Sequence, residues 1–308
     1  MESDDINFYD EIRRNQVRTF AIIAAFLIMI IVLGYALGLY FGNPSYGGIL
    51  AAIAATMYTF IVLISGKAMI LAIVSAKPIQ KKDYPHYYNT VEALTVAAQI
   101  PMPKLYVIDD TAINAFATGT SPKNAAVTVT TGALKKLNKT EFEGVIAHEL
   151  SHIKNFDIRV MMLAAILVGV IVFLADIFLR SMFYGGKSRE GGKGGGGGIL
   201  IIIGLILAIL APIVAHLIKL SLSRQREFLA DASGAKLTRY PKGLADALKK
   251  IRDDKEPLVE AANRAVAPLF IENPMRAASE KGKGGSTLRT LLSTHPDVNE
   301  RIKRLELM

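Results

Sequence analysis

The sequence predicts a mainly helical α+β protein, with four transmembrane helices in two hairpins joined to a water-exposed domain that contains a few strands. Three observations predict it. Apolar residues make up 51% of the 308 positions and mean hydropathy is +0.34, values of a membrane protein carrying a polar part. Membrane-length apolar runs come in two pairs, separated by residues 77–159 of mixed composition. Within that stretch, Lys104–Ile108 and Ala125–Thr130 have the β-branched, alternating look of strands. The chain has no cysteine, which excludes disulfides and thiolate metal sites. Net charge is +9, but the basic residues cluster beside apolar runs and in Gly/Lys loops, without any nucleic-acid module. That placement favours a lipid surface and argues against a nucleic-acid partner.

Residues 1–76 form an N-terminal segment and the first hairpin. No charged residue lies between Arg18 and Lys67, and residues 20–41 are long enough to cross a bilayer core. Gly42, Asn43, Pro44, Ser45, Tyr46, Gly47 and Gly48 supply the turn, and residues 49–76 return. Lys67, late in that span, can snorkel to an interface. The first run is too long for a signal-peptide core and a second span follows at once, so it is read as retained. Residues 77–159 are the first part of the soluble domain. Residues 160–218 form the second hairpin: 160–179, interrupted only by Asp176, then a glycine-rich loop over 185–198, then 199–218 with Pro212 and His216. Residues 219–308 complete the soluble domain. Arg13, Arg14 and Arg18 precede the first span, and Lys77, Lys81 and Lys82 follow the second. This places the domain on the cytoplasmic face of a multi-pass cell-membrane protein. Arg180, Lys187, Arg189 and Lys193 then fall on the opposite side, which leaves open a second hairpin tucked against protein rather than fully spanning.

The chemistry is concentrated in His148-Glu149-Leu150-Ser151-His152. Histidines four residues apart share one face of a helix and can pinch a Zn²⁺, with the intervening glutamate placed to take a proton from water. With five histidines in the chain, chance supplies this pattern in on the order of 0.004 of such sequences. Thr140 and Glu143 suggest a capping box opening the helix, which is expected to run on into the third span. A catalytic zinc needs a third protein ligand, and no histidine follows closely: ten residues past His148 is Ile158. Glu227 and Asp231, just after the fourth span, would share a helical face. Glu227 can be the ligand and Asp231 an acceptor holding a histidine ring, or the pair can be a solvated charged face.

His148 to His152, the stretch Ser223 to Asp231, the run Asn114, Ala115, Phe116, Ala117 and the late Ser293-Thr294-His295-Pro296 together resemble the HtpX family of membrane zinc endopeptidases. These are relatives of the CAAX prenyl endopeptidases. The resemblance runs through nearly the whole chain and implies a gluzincin, a zincin-type catalytic domain whose third ligand is a glutamate. It implies one Zn²⁺ per chain, held by His148, His152 and Glu227, with Glu149 as general base and Asp231 closing an ExxxD motif. Asn114, Ala115, Phe116 and Ala117 match a β-edge that pairs with extended substrate. His295 and Arg301 match a late histidine and arginine near the oxyanion. One position departs: Asp297 stands where the family often has a second proline. The implied activity is hydrolysis of peptide bonds in misfolded or damaged membrane proteins. The partners are then polypeptides and the lipid bilayer. Two alternatives compete. A dedicated processing protease of the prenyl-endopeptidase type calls for more membrane helices. A transporter or scaffold calls for polar pairs across spans, where only Asp176, His216 and Lys67 are available.

Overall fold

A computed structural model of the chain describes residues 8–40, 42–167, 169–170, 224–254, 256, 269–271 and 296–308. Two long antiparallel helices come first, α1 (Phe8–Tyr40) and α2 (Pro44–Ile73). Asn43 caps α2 by accepting the Tyr46 amide at 3.1 Å, and Pro44 supplies a first-turn φ that suits a helix. The helices approach closely where glycines meet: a Cβ on Gly38 would lie 2.6 Å from the Asn43 carbonyl oxygen. Both carry spans of mean hydropathy above 2, yet only 22% of each span is buried within the protein. A core helix would be mostly covered. These instead present Phe20, Ile28, Ile49, Phe60 and Ile64 outward, the surface a bilayer covers.

The domain that follows is built on a sheet with strand order β1-β2-β4-β3 among the described residues. β1 (Lys77–Pro78) pairs antiparallel with β2 (Lys104–Ile108), which runs parallel to β4 (Ala125–Thr130); β3 (Ala115–Gly119) lies antiparallel to β4 at the edge. Both strands expected from their β-branched pattern are present. Thr130 ties the β3 approach in place: its hydroxyl donates to the Ala112 carbonyl at 2.6 Å and accepts the Asn114 amide at 3.0 Å. The β3–β4 connection is fastened to α2 by Lys67, whose ammonium donates to the Asn124 side chain, so this lysine reaches the domain. Arg159 adds a second tie, to the Thr120 carbonyl at 2.5 Å.

Helices α3 (Pro85–Ala98), α4 (Thr131–Lys136), α5 (Lys139–Lys154), α6 (157–167), α7 (Arg224–Thr238), α8 (Pro241–Asp253) and α9 (Val298–Glu306) complete the described structure. α5 is central, buried along nearly its whole length. Its capping box lies two residues earlier than Thr140 and Glu143 suggest. Asn138 accepts the Glu141 amide at 3.0 Å, and Glu141 accepts the Asn138 amide at 2.8 Å. Packing decides between the two overlapping patterns, because Glu141 is buried and accepts from Lys250 at 2.7 Å while Glu143 is only half-buried. The expected run of α5 into the third membrane segment is also corrected. The helix stops at Lys154, Phe156 takes φ +61°, and α6 starts afresh at residue 157. Residues 160–167 are buried against α1 and α2, with Met162 and Ile166 meeting Gly66. Residues 171–218 of the expected second hairpin, including Asp176, the 185–198 loop, Pro212 and His216, lie outside the described residues.

The close approach of α5 and α8 passes through Gly144, where a Cβ would stand 2.6 Å from the Leu244 backbone nitrogen. Backbone cannot yield as a side-chain tip does. Gly144→Ala should therefore destabilise the protein by about 1–3 kcal/mol, read as a lowered thermal midpoint in detergent; an unchanged midpoint would show that the two helices part without cost.

Candidate metal centre

His148, Glu149 and His152 project from α5, and the four-residue spacing sets both imidazoles on one face. Their Nε2 atoms are 3.2 Å apart, the rings nearly perpendicular at 89°. α7 crosses this face closely because Gly234 has no side chain: a Cβ there would lie 3.0 Å from the His148 amide nitrogen. The contact brings Glu227 to the same point, its carboxylate oxygens 3.8 Å from His148 Nε2 and 3.6 Å from His152 Nε2. One ligand atom from each of the three lies within 4.8 Å of the others, and all three residues are buried.

The far side of each ring is held as well. Asp231, one turn after Glu227, stands 3.0 Å from His148 Nδ1, and Asp157 stands 2.9 Å from His152 Nδ1. A carboxylate accepts, so each Nδ1 carries a proton and each Nε2 is turned toward its neighbour. Burial pushes the His148 pKa down. Burial also works against a charged His152, but the hydrogen bond to Asp157 and the charges of Glu227, Asp157 and Glu149 outweigh it and push His152 up to about 9. Without a cation, one proton therefore sits between the two Nε2 atoms. The same donor set, two imidazole nitrogens and a carboxylate with no sulfur, fits a divalent metal in that proton's place.

The model of peptidase family M48 matches residues 83–308 of this chain. The chain belongs to peptidase family M48. It is 43% identical over 301 residues to a protease HtpX homolog of Dictyoglomus thermophilum, covering 98% of this chain and 95% of that one. A protease HtpX homolog of Streptococcus thermophilus is 40% identical over 307 residues, covering 97% and 99%. Among solved structures, Ste24p of S. mikatae shares the fold with a TM-score of 0.50 at 17% identity; the match covers 90% of this chain, which spans 62% of that structure's length. The protein is thus an HtpX-like membrane metalloprotease, a hydrolase acting on polypeptides, and the transporter or scaffold alternative falls away.

In this M48 peptidase Glu149 is buried beside the cluster and accepts a hydrogen bond from the Ala117 amide. Burial pushes its carboxyl up to about 7; Glu227 adds to the rise, while His152, the Ala117 amide and Arg301 oppose it. Ala117 belongs to β3, so the outer edge of that strand faces the site. Asn114 accepts the Thr130 amide through its carbonyl at 3.0 Å, and Phe116 packs edge-on against Phe270, ring centroids 4.9 Å apart. At Ala115 the edge is engaged by the chain itself: its carbonyl accepts the Ile271 amide at 3.0 Å. Arg301, 1% exposed, grips Asp231 with two hydrogen bonds of 2.9 and 2.7 Å, donates to the Ile271 carbonyl at 3.3 Å, and lies 3.4 Å from His148 Nε2. Burial would raise the Asp231 pKa, but the Arg301 charge and hydrogen bonds from His148 and Arg301 hold it down at about 2. His295 lies outside the described residues. Asp297, the departure from the family pattern, caps α9 by accepting the Asn299 amide at 2.9 Å and so starts the helix that carries Arg301. Sequence reading missed Asp157, and with it Asn15 and Arg226, which lie 2.7 and 3.7 Å from its Oδ1. Asp157 alone carried a signal, a carboxylate five residues after the second histidine.

Metal binding needs the nitrogen that His152 keeps protonated below about 9. Each metal ion bound at neutral pH should therefore release at least one proton. Apparent affinity should climb about tenfold per pH unit and level off above about 9. Titration calorimetry in buffers of different ionisation enthalpy measures this; pH-independent affinity would contradict the arrangement.

Proposed function

We propose that this peptidase is a multi-pass zinc endopeptidase of the cell membrane that hydrolyses peptide bonds in misfolded or damaged membrane proteins, its domain facing the cytoplasm. The observation that carries the reading is the convergence of His148, His152 and Glu227 on one buried point with Glu149 alongside. Zinc held by those three residues would supply Lewis acidity for the scissile carbonyl and for water. Glu149 takes the proton of the attacking water and hands it to the leaving amine, from a buried place beside the three candidate ligands. Ala117 holds that carboxylate in position, and a substrate strand pairing along the β3 edge would take the place that Ile271 holds at the Ala115 carbonyl. Asp231 and Asp157 fix the ring orientations, and Arg301 keeps Asp231 ionised while setting a positive charge beside the oxyanion region. His295, by its place in the motif, is the partner donor to the oxyanion.

Arg13, Arg14 and Arg18 near the start of α1, ahead of its apolar stretch, and Lys77, Lys81 and Lys82 after α2 support the cytoplasmic orientation, with residues 160–218 as the second membrane hairpin. The exposed apolar faces of α1 and α2 keep the site next to lipid, where membrane-protein substrates are found.

Glu149→Gln keeps the size and the Ala117 contact but cannot take a proton. The purified variant should bind one equivalent of zinc and lose casein hydrolysis in detergent by about 10²–10⁴-fold. Normal cleavage would sink the mechanism. In cells, membrane fractions carrying the variant should accumulate damaged membrane proteins that the wild type clears, and unchanged membrane proteomes would argue against quality control.

A further inference from the structure

Asp157 uses one carboxylate oxygen to hold His152. The other oxygen is held from a distant part of the chain: Asn15, near the start of α1, donates its side-chain amide to Asp157 Oδ1 at 2.7 Å. The same nitrogen donates to the Asn155 carbonyl at 3.0 Å, in the break between α5 and α6. Its amide oxygen accepts from Arg18 at 3.2 Å. Both amide hydrogens and the oxygen are thus engaged, so the Asn15 side chain has one orientation. Asn15, Asn155 and Asp157 are all buried.

Asp157 stands at the first turn of α6, past the break, so α5 does not by itself set its rotamer. Arg226, 3.7 Å from Asp157 Oδ1, supplies charge. Asn15 supplies direction: it bonds the carboxylate and the carbonyl of the joint together and so fixes where Asp157 Oδ2 points. We propose that Asn15 is a positioning residue for His152, acting through Asp157, so that the first membrane helix is a working part of the metal site as well as an anchor. The proposal rests on His152 being a metal ligand.

The full-length protein in detergent tests it, with zinc affinity measured by chelator competition. Asn15→Leu removes the donors and keeps the volume; zinc Kd should rise about tenfold, the low end of what outer partners of a ligand contribute. Thr19→Val is the structural control: it deletes a buried hydrogen bond from the Thr19 hydroxyl to the Asn15 carbonyl on the same helix without touching Asp157. It should leave zinc Kd unchanged. In an Asp157→Ala background, Asn15→Leu should add no further loss. Wild-type affinity in Asn15→Leu, or an equal loss with and without Asp157, overturns the proposal. His152→Ala isolates the underlying reading: if that variant binds zinc as tightly as wild type, the ligand assignment itself fails.

Discussion

Two buried imidazole nitrogens facing one another across 3.2 Å are the constraint on which the rest of the site depends. Two lone pairs cannot share that space without a cation between them, and water is not there to soften the repulsion. The surroundings are built to supply the missing charge. Glu149, Asp157, Glu227 and Asp231 are buried with Arg226 and Arg301. When fully ionised, four carboxylates against two guanidiniums leave two negative charges, which one divalent ion balances. The carboxylates that hold Nδ1 do a second job, turning both Nε2 atoms inward. A site of this kind is costly to bury empty and is stabilised by what it binds.

The long apolar helices and the segment after α5 also support these groups. α1 contributes Asn15, α2 fastens the β3–β4 connection through Lys67, and α6 presents Asp157 before continuing into an apolar run. α5 does not join the membrane segment as one rigid rod. The break at Asn155 and Phe156 frees α6 to place its carboxylate against the outer nitrogen of His152, which a straight continuation of α5 would carry past. The edge strand β3 links the other side: Ala117 holds the Glu149 carboxylate, and Ala115 is paired with Ile271.

What was legible in the sequence was local. His148, Glu149 and His152 announce themselves because four-residue spacing needs only a helix, and Glu227 with Asp231 follows the same rule once a helix is assumed. Strands β2 and β4 were visible in their β-branched residues. Where two local patterns overlapped, tertiary contact chose: the burial of Glu141 against Lys250 set the start of α5. The break after Lys154 was not legible, since phenylalanine at positive φ has no sequence signature. Nor were Asn15 with Asp157 or Ile271 with Ala115, pairs separated by more than a hundred residues and joined only by packing.

X-ray absorption at the metal edge of the purified full-length protein tests the central claim most directly. The account predicts zinc, with two imidazole nitrogens at about 2.0–2.1 Å and oxygen ligands at about 2.0–2.2 Å, and loss of that spectrum in Glu227→Ala. A spectrum without imidazole, or one that Glu227→Ala leaves unchanged, would contradict it.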